Sequence, residues 1–320
     1  MEISIVVQGA ISSITNVCLN SLRDAFPCAE IILSTWAGSD VSYLKYDKLV
    51  LSKDPGSVFC DEVSNIQNNV NRQLVSTKAG ISVATGEYII KTRTDIIFND
   101  NTLLNYFSKY DDIDSPYFEQ RLLICNWYTR NPRTFKTCFH PSDWIVFGKA
   151  NDVRKYYQGT PLMTEDEANW FRNHIKSSTF LTNYICRYTP EQHIFLGFLQ
   201  QCEEIELDSY YDISPALIVK TEQTFAECFV VLDYKKQMNI TFSKYNPNRY
   251  FEKNTLISHW QWRALYEHYC QKKKSWRWGL YCLQMQLMKM IPFFRGKMIK
   301  VLDYFGLKEF IKACLRKVRI

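Results

Sequence analysis

An arginine and an aspartate stand two positions apart where an apolar run of this sequence ends. Residues 86–95 read Gly-Glu-Tyr-Ile-Ile-Lys-Thr-Arg-Thr-Asp, which predicts a turn, a buried strand and a polar tip. Because side chains alternate along a strand, Arg93 and Asp95 are expected to point to the same face. A guanidinium suits phosphate oxygens, and a lone carboxylate can bind Mg²⁺ or Mn²⁺ with help from substrate phosphates. The tip is a candidate diphosphate site, and the alternative is an ion pair that merely closes the edge of a sheet.

Small or polar residues follow three further strand-like runs, which begin at residues 3, 30 and 48. Open α/β folds bind ligands at the carboxyl ends of their strands, and a glycine there lets the backbone approach a ligand closely. Taken singly, each end is better explained as an ordinary turn, and only the three ends together indicate a site. An enzyme that moves a sugar from a nucleotide donor would use such ends for the base and the diphosphate. The candidate donor-binding residues are Gln8, Gly9, Thr35, Asp54, Asn71, Arg72, Arg93 and Asp95.

The elements that must position these residues alternate between strand and helix over the first hundred positions. Strands are predicted over 3–7, 30–34, 48–51 and 88–90, and helices over 15–25 and 65–85. Beyond Asp95, strands are predicted over 121–127 and 144–147 and around 228–232, and helices over 99–107, 151–157, 164–173 and 190–201. Strands separated by helices indicate an α/β, Rossmann-type, mostly parallel sheet flanked by helices.

Composition indicates a globular protein with one large domain and an appendage. Of its 320 residues 46% are apolar and 22% charged, which argues against wholesale disorder. The 11 cysteines are odd in number and form no Cys-x-x-Cys pair, so we expect reduced thiols in a cytosolic protein, without a zinc site or a disulfide framework. The run Ile3–Val7 is predicted to be a core strand, not a signal peptide, and no stretch approaches the roughly 18 apolar residues of a membrane span.

The last 55 residues differ in kind from the rest of the chain. Three lysines at 272–274 precede Trp276, Arg277 and Trp278, and further on apolar residues share one helical face. A basic amphipathic helix with aromatic residues is typical of an interfacial membrane anchor, and the alternative is a terminal helix docked on the core. We predict a globular domain over 1–265 and a basic aromatic helical tail over 266–320 that associates with membranes. The net charge of +6 is concentrated in that tail, so we expect no nucleic-acid partner.

Several short motifs together resemble one family. They are Ile-Val-Val-Gln-Gly at 5–9, Cys-Leu-x-Ser-Leu-Arg at 18–23, Glu-Ile-Ile-Leu-Ser-Thr-Trp at 30–36, Lys-Thr-Arg-Thr-Asp at 91–95, Ser-Asp-Trp at 142–144, Phe-Gly at 147–148 and Pro-Glu-Gln at 190–192. On these, residues 3–265 resemble the WavE family of lipopolysaccharide-synthesis glycosyltransferases. The resemblance implies a GT-A type fold and transfer of a sugar from a nucleotide-sugar donor to a bacterial surface glycan, in lipopolysaccharide or capsule synthesis. It also implies a place on the cytoplasmic face of the inner membrane, with a lipid-linked or oligosaccharide acceptor.

The resemblance also suggests roles for residues in the second half of the chain. Asp143 and Trp144 fall where GT-A enzymes build the acceptor side, and Glu191 begins a predicted helix where inverting enzymes present their base. Asp143 and Glu191 are therefore rival candidates for the base of an inverting displacement, with a slight preference for Glu191. Lys244 or Arg249 would hold the diphosphate. His259 would join Asp95 at a metal ion, Mn²⁺ or Mg²⁺, but Arg93-Thr94-Asp95 stands where many GT-A enzymes have Asp-x-Asp, so metal dependence stays open.

Two other function classes remain open at this point. A sugar nucleotidyltransferase would use a related fold, but the loop after the first predicted strand, Gln8–Ser13, lacks the cation that grips a triphosphate. A non-catalytic carbohydrate- or membrane-binding protein would account for the 15% aromatic content but not for polar clusters at successive strand ends.

Overall fold

The computed structural model describes residues 1–61, 66–111, 114–174, 186–243 and 254–288. The chain divides into two compact units, Met1–Lys273 and a second that starts at Lys274. The strands of the described residues are β1 (Ile3–Gln8), β2 (Glu30–Trp36), β3 (Lys48–Ser52), β4 (Val58–Asp61), β5 (Ile66–Asn68), β6 (Tyr88–Arg93), β7 (Ile96–Phe98), β8 (Leu122–Cys125), β9 (Val146–Lys149), β10 (Phe229–Leu232) and β11 (Ile240–Phe242).

Helices separate most of these strands. They are α1 (Thr15–Ala25), α2 (Val70–Ser82), α3 (Pro132–Phe135), α4 (Ala150–Gln158), α5 (Glu165–Ala168), α6 (Trp170–Asn173), α7 (Pro190–Leu199), α8 (Pro215–Cys228) and α9 (His259–Leu265). A 3₁₀ helix covers Thr102–Tyr106, and a π-helical turn covers Tyr266–Cys270. The α/β class is thus confirmed, and α1 has the predicted bounds.

Seven strands form the main sheet in the order β10-β8-β9-β6-β1-β2-β3. Strands β3, β2, β1 and β6 are parallel neighbours, and β10 is parallel to β8. Only β9 within this sheet runs the other way, antiparallel to both β6 and β8. The carboxyl ends of six strands and the amino end of β9 therefore meet at one edge, which we call the carboxyl edge.

The sheet is buried because its central strands are apolar on both faces, as is usual for parallel strands covered by helices. Ile5, Val6 and Val7 of β1 are completely buried. Helix α2 approaches β1 and β2 so closely that a Cβ on Gly80 would lie 2.4 Å from Cγ1 of Val6. A glycine at this position therefore allows the end of α2 to pack closely on β1 and β2.

Some predicted bounds are wrong for local reasons. The helix predicted over 65–85 is shorter, since 66–68 form β5 and α2 begins only at Val70. The segment predicted as a helix over 99–107 forms a 3₁₀ helix. Helix α8, which begins with Pro215 after the N-cap Ser214, was not predicted at all. Its residues Thr221, Glu222 and Thr224 are buried polar groups, which blur the helical hydrophobic pattern.

In the second unit, residues 276–288 form a helix. Trp276, Leu280, Leu283 and Leu287 are exposed, and their spacing of four, three and four residues places them on one face. None of the helices in the described ranges is long and apolar enough to cross a membrane.

Candidate active site

A cavity of about 450 Å³ opens at the carboxyl edge of the parallel strands. We call it the strand-end cavity. Its lining combines backbone-rich turns, two arginines and two aspartates. It is lined by Gln8, Gly9, Ala10, Trp36, Asp54, Asn69, Arg72, Gln73, Arg93, Thr94 and Asp95.

Gly9 shapes the floor of the strand-end cavity. It has a φ of +127°, and a Cβ there would lie 3.1 Å from Oγ1 of Thr94. The same Oγ1 donates a hydrogen bond to the carbonyl oxygen of Ala10 at 2.8 Å. The loops after β1 and β6 are therefore in direct contact, and only glycine suits both the backbone angle and the space.

Arg93 and Asp95 form the bidentate ion pair that was one of the two interpretations of the sequence. Nε of Arg93 donates to Oδ1 of Asp95 at 2.9 Å, and Nη2 donates to Oδ2 at 2.8 Å. The guanidinium also lies over the ring of Trp144, 4.3 Å from its centroid. Asp95 is buried, whereas 26% of the Arg93 side chain stays exposed. The pair thus presents its cation, more than its carboxylate, to a ligand.

A second arginine–aspartate pair stands at the other side of the cavity. Arg72 donates through Nε and Nη2 to the two carboxylate oxygens of Asp54, each at 2.8 Å, and through Nη1 to Oδ1 of Asn69 at 2.9 Å. The Arg72 guanidinium holds the pKa of Asp54 below its usual value. Both side chains are more than a third exposed, so this pair is accessible to a ligand.

A second cavity, of about 410 Å³, adjoins the first and contains two buried carboxylates. We call it the carboxylate cavity. It shares Asn69, Gln73 and Arg93 with the strand-end cavity. The rest of its lining is Tyr128, Arg130, Phe135, His140, Asp143, Trp144, Thr189, Pro190, Glu191 and Tyr210.

Topology explains how Asp143 and Glu191 reach this cavity. Because β9 is antiparallel to β6, with Val146 opposite Lys91, the residues just before β9 stand beside the end of β6. Glu191 lies in the first turn of α7, where the Thr189 side chain caps the helix and Pro190 occupies its start. Strand β9 and helix α7 thus both begin next to the carboxylate cavity, and each brings one acid to it.

The carboxylate cavity shifts the pKa values of its acids and bases. Burial, together with the nearby Asp143, raises the pKa of Glu191 to about 8. Nε2 of His140 lies 3.7 Å from Oε2 of Glu191, but burial beside Arg130 lowers the pKa of His140 to about 3. At neutral pH, therefore, the imidazole is neutral and Glu191 is mainly a carboxylic acid.

A ladder of rings and guanidinium groups forms one wall of this cavity. Trp144, between Arg93 and Tyr128, stacks on the Tyr128 ring at 5.3 Å and 12°. The Arg130 guanidinium lies 4.9 Å from the centroid of Tyr128 and 4.4 Å from that of Phe135. Such alternation of cations and ring faces is favourable when partly desolvated. Arg93 is thus held both by its hydrogen bonds to Asp95 and by the ring of Trp144.

Sequence reasoning missed Tyr128, Arg130, His140 and Tyr210 as lining residues. The sequence did contain a signal for two of them. Tyr128 and Arg130 closely follow the strand predicted over 121–127, just as the candidates after β1, β2 and β3 follow their strands. Tyr128 adopts a φ of +68°, an uncommon value for a non-glycine residue that marks a turn.

Three predicted donor or metal residues lie elsewhere than in the two cavities. Thr35 is fully buried behind Trp36. The Asn71 amide holds the backbone of Met163, donating to its carbonyl oxygen at 2.9 Å and accepting from its N–H at 2.7 Å. His259 uses Nε2 for the Tyr110 hydroxyl at 3.0 Å and Nδ1 for the Val231 carbonyl at 2.8 Å. Lys244 and Arg249 lie outside the described residues.

The described residues do not offer a ready-made metal cage. Among them, no group of three or more His, Cys, Asp or Glu side chains has a metal-binding arrangement. Both oxygens of Asp95 accept hydrogen bonds from Arg93, and both ring nitrogens of His259 are engaged. Among the described residues, a divalent cation in the strand-end cavity would draw on Asp95 or Asp54, each released from its arginine, and on oxygens of a substrate.

Solved structures with some similarity are known, but the overlap is limited. The chain is 13% identical to S. aureus TarS (71% of this chain, 39% of TarS, TM-score 0.34). It is 9% identical to glucosyl-3-phosphoglycerate synthase from Mycobacterium tuberculosis, solved with Mn²⁺, UDP and glucosyl-3-phosphoglycerate (86% and 81%, TM-score 0.35). It is 8% identical to an active-site mutant of LgtC (68% and 85%, TM-score 0.33). These TM-scores are too low to support conclusions about function, and the chain spans well under half of TarS. No curated protein sequence matches it.

The fold and the site define an α/β protein with a two-compartment polar cleft at the carboxyl edge of a mostly parallel sheet. The model of the family "WavE lipopolysaccharide synthesis" matches residues 3–293. The chain therefore belongs to the WavE family, as its motifs indicated.

Proposed function

We propose that this protein is a glycosyltransferase that binds a nucleotide-sugar donor in the strand-end cavity and an acceptor in the carboxylate cavity. The observation that carries the proposal is the shared wall: Arg93 lines both cavities, between a cation-rich compartment and one with two buried acids. Transfer between two substrates needs this adjacency, because the donor carbon and the acceptor hydroxyl must approach to about 3–3.5 Å.

The strand-end cavity suits the nucleoside diphosphate part of the donor. The backbone at Gly9 offers a close approach to a ligand, and the half-buried Trp36 offers a ring for a base. Arg93 and Arg72 offer forked donors for phosphate oxygens. In this scheme Arg93 stabilises the negative charge that develops on the departing diphosphate.

The carboxylate cavity suits an acceptor sugar. Trp144 and Tyr128 line the wall with apolar ring atoms, and Asp143 and Glu191 offer groups that take or share hydroxyl protons. The reaction would be a direct displacement with inversion, in which one of these two carboxylates acts as the base. The family description, lipopolysaccharide synthesis, supports a surface-glycan acceptor, and our proposal extends this to capsule synthesis.

Turnover of nucleotide sugars tests this function. We would incubate the full chain with a panel of nucleotide sugars and follow release of nucleoside diphosphate, with Mn²⁺ and with EDTA. We expect release from one donor, and a loss in EDTA would add a metal at Asp95 to the site. Pyrophosphate release from a nucleoside triphosphate would instead favour a nucleotidyltransferase. No release from any donor together with glycan binding would favour a non-catalytic carbohydrate-binding protein.

A membrane surface is the proposed partner of the second unit. Trp276, Leu280, Leu283 and Leu287 present an exposed apolar face, and Lys272, Lys273, Lys274 and Arg277 lie at its start. Apolar side chains next to a basic cluster suit an anionic lipid surface. This would hold the protein on the cytoplasmic face of the inner membrane, next to a lipid-linked acceptor.

Vesicle sedimentation tests the membrane proposal separately. We expect the chain to sediment with vesicles that contain phosphatidylglycerol and much less with phosphatidylcholine alone. The double variant Leu280→Glu, Leu283→Glu should stay in the supernatant. The matched control is Val219→Glu, which changes an exposed apolar residue of the first unit. Equal sedimentation of the double variant and the control would contradict the proposal.

A further inference from the structure

The mechanism outlined above leaves one fully buried charge without a role. Lys91 lies in the central strand β6, two residues before Arg93, and its side chain has no solvent exposure. Transfer of an isolated ammonium into a protein interior is costly, so a buried lysine is stable only with nearby negative charge or strong acceptors. The burial of Lys91 therefore points to a specific partner.

That partner is Asp143. Nζ of Lys91 donates a hydrogen bond to the main-chain carbonyl oxygen of Asp143 and lies 3.9 Å from its Oδ2. Oδ2 is itself buried and has no hydrogen-bond partner among the described residues. The lysine thus holds Asp143 in two ways: it fixes the backbone just before β9, and it places a positive charge beside the carboxylate.

Within the described residues, no lysine or arginine forms an ion pair with Glu191. Nε2 of His140 lies 3.7 Å from Oε2 of Glu191, but burial keeps that imidazole neutral. Arg130 and Arg93 line the same cavity and lower the pKa of Glu191 through space, by less than burial raises it. Two buried carboxyl groups in one cavity do not ionise independently, and the better-compensated one ionises first.

We propose that Lys91 is a positioning residue that keeps Asp143 ionised, so that the one proton shared by the two acids resides on Glu191. The proposal deepens the proposed function and rests on it for its catalytic meaning. The pKa of Glu191, which burial raises to about 8, is consistent with a proton on that carboxyl group. Burial also lowers the pKa of Lys91 to about 8, so this buried ammonium needs a negative charge nearby. The other groups that act on this cluster are Arg93, Asp95, Arg130, Tyr156 and Tyr157.

The division of roles follows directly. Asp143 accepts the proton of the acceptor hydroxyl while that oxygen forms a bond to the anomeric carbon of the donor. The bond between the anomeric carbon and the diphosphate oxygen breaks, and its electron pair leaves with the diphosphate. Glu191, as the acid, donates a hydrogen bond to a sugar oxygen instead of taking the proton. The preference for Glu191 as base is thereby reversed in favour of Asp143.

Carbon-13 NMR of the side-chain carboxyl carbons tests the proposal without any substrate. Protein labelled at the aspartate γ and glutamate δ carbons would be titrated, with Asp143→Asn and Glu191→Gln used to assign the two signals. At pH 7 we expect the Glu191 signal of the wild type at the position of a carboxylic acid and the Asp143 signal at that of a carboxylate. The opposite assignment, or two carboxylates, would overturn the proposal even if the enzyme turned over normally.

Lys91 variants test the cause. In Lys91→Met the midpoint of the Asp143 titration should rise, because the positive charge beside the Asp143 carboxylate is removed. Lys91→Arg should retain most of the wild-type value. The matched control is Lys78→Met, because Lys78 also donates to main-chain oxygens, those of Gln158 and Thr160, but faces no carboxylate of the site. If Lys91→Met left the Asp143 midpoint unchanged, Lys91 would not be the cause, and if it failed to fold, the wild-type spectrum would still decide the proton's place.

Kinetics then separate this proposal from the proposed function. If a donor is turned over, the acid limb of kcat should move upward with the Asp143 midpoint in Lys91→Met but not in Lys78→Met. If no donor is turned over, the glycosyltransferase proposal fails while the NMR result still stands on its own. A shift of KM with an unchanged pH profile would overturn the role assigned to Lys91.

Discussion

The two halves of the main sheet use charge in opposite ways. In the parallel half, taken as β3, β2 and β1, the Arg72–Asp54 pair is more than a third exposed. In the half formed around β6 and the reversed strand β9, Lys91, Asp143 and Glu191 are all buried. Exposed pairs are screened by water and exchange partners easily, whereas buried groups interact strongly and fix one another's protonation. The first arrangement suits reversible binding of a charged nucleotide, and the second suits the transfer of a proton.

The largest effect that this comparison predicts comes from the buried half. Asp143→Asn removes the proposed base and should lower kcat by about 10²–10⁴-fold, the usual contribution of general base catalysis. The readout is the rate of diphosphate release at saturating donor. The matched control is Asp152→Asn, which removes a buried carboxylate that accepts hydrogen bonds from the backbone of Glu119 and Gln120 outside both cavities. Full activity of Asp143→Asn would show that Asp143 is not the base and that the buried charges only stabilise the fold.

Arg93 joins the two halves, and its loss should have the next largest effect. Arg93→Gln leaves Asp95 buried without its bidentate cation and removes a donor for the departing diphosphate. We expect kcat to fall by about 10²-fold, similar to the loss of one preorganised hydrogen-bond donor at a developing charge. Arg23→Gln, which opens the surface pair with Asp47, should leave the rate unchanged. A change confined to KM would show that Arg93 serves binding alone.

The buried Glu191 should also make the stability of the protein depend on pH, which tests the contrast between buried and exposed charges. Its pKa is raised to about 8 in the folded protein, so the folded state binds more protons than the unfolded state between about pH 4.5 and 8. This contribution to stability is present below about pH 4.5 and is lost as the pH rises through 8. Relative to Glu191→Gln, the wild type should lose about 3 kcal/mol in unfolding free energy between pH 5 and pH 8. Urea denaturation at both pH values measures it, and a constant difference between the two proteins would refute it.

The smallest effect belongs to the exposed pair of the parallel half. Asp54→Asn breaks the bidentate contact with Arg72, yet an exposed pair stabilises a protein by at most about 1 kcal/mol. We therefore expect a change in unfolding free energy below that value and a further decrease of the effect at high salt. In the Asp54→Asn variant, loss of the contact between Arg72 and Asp54 should change the affinity of the protein for a nucleoside diphosphate by no more than about tenfold. A destabilisation of several kcal/mol would show that the two halves do not differ as proposed.

Local signals were enough to predict the first half of the molecule. Strand β6 begins at the predicted Tyr88 and ends at Arg93, and the helix Thr15–Ala25 has its predicted bounds. Short βα units leave a clear pattern, because each strand is apolar on both faces and each turn carries polar or small residues. The candidates Gln8, Gly9, Asp54, Arg72, Arg93 and Asp95 accordingly line one cavity.

Other outcomes depended on contacts between distant segments. His259 was a candidate metal ligand, yet Tyr110 and Val231 engage both of its ring nitrogens. Asn71 was a donor candidate, yet its amide holds Met163. Partners that lie 28 to 149 positions away leave no periodic trace in the sequence, so residue type alone did not distinguish a ligand-binding group from a structural one.

By itself, the sequence determined the α/β class, the polar tips of the parallel strands, the Arg93–Asp95 alternation and the membership of the WavE family. These features follow from the hydrophobic periodicity, the spacing and the types of residues, which are local properties of the sequence. Only the tertiary structure decided that β9 is antiparallel to β6, which places Asp143 next to Lys91. It also decided that α7 brings Glu191 into the same cavity. The reason is physical: the protonation of a buried acid depends on the charges and the water around it in space, and those are set by the packing of segments that are far apart in the sequence.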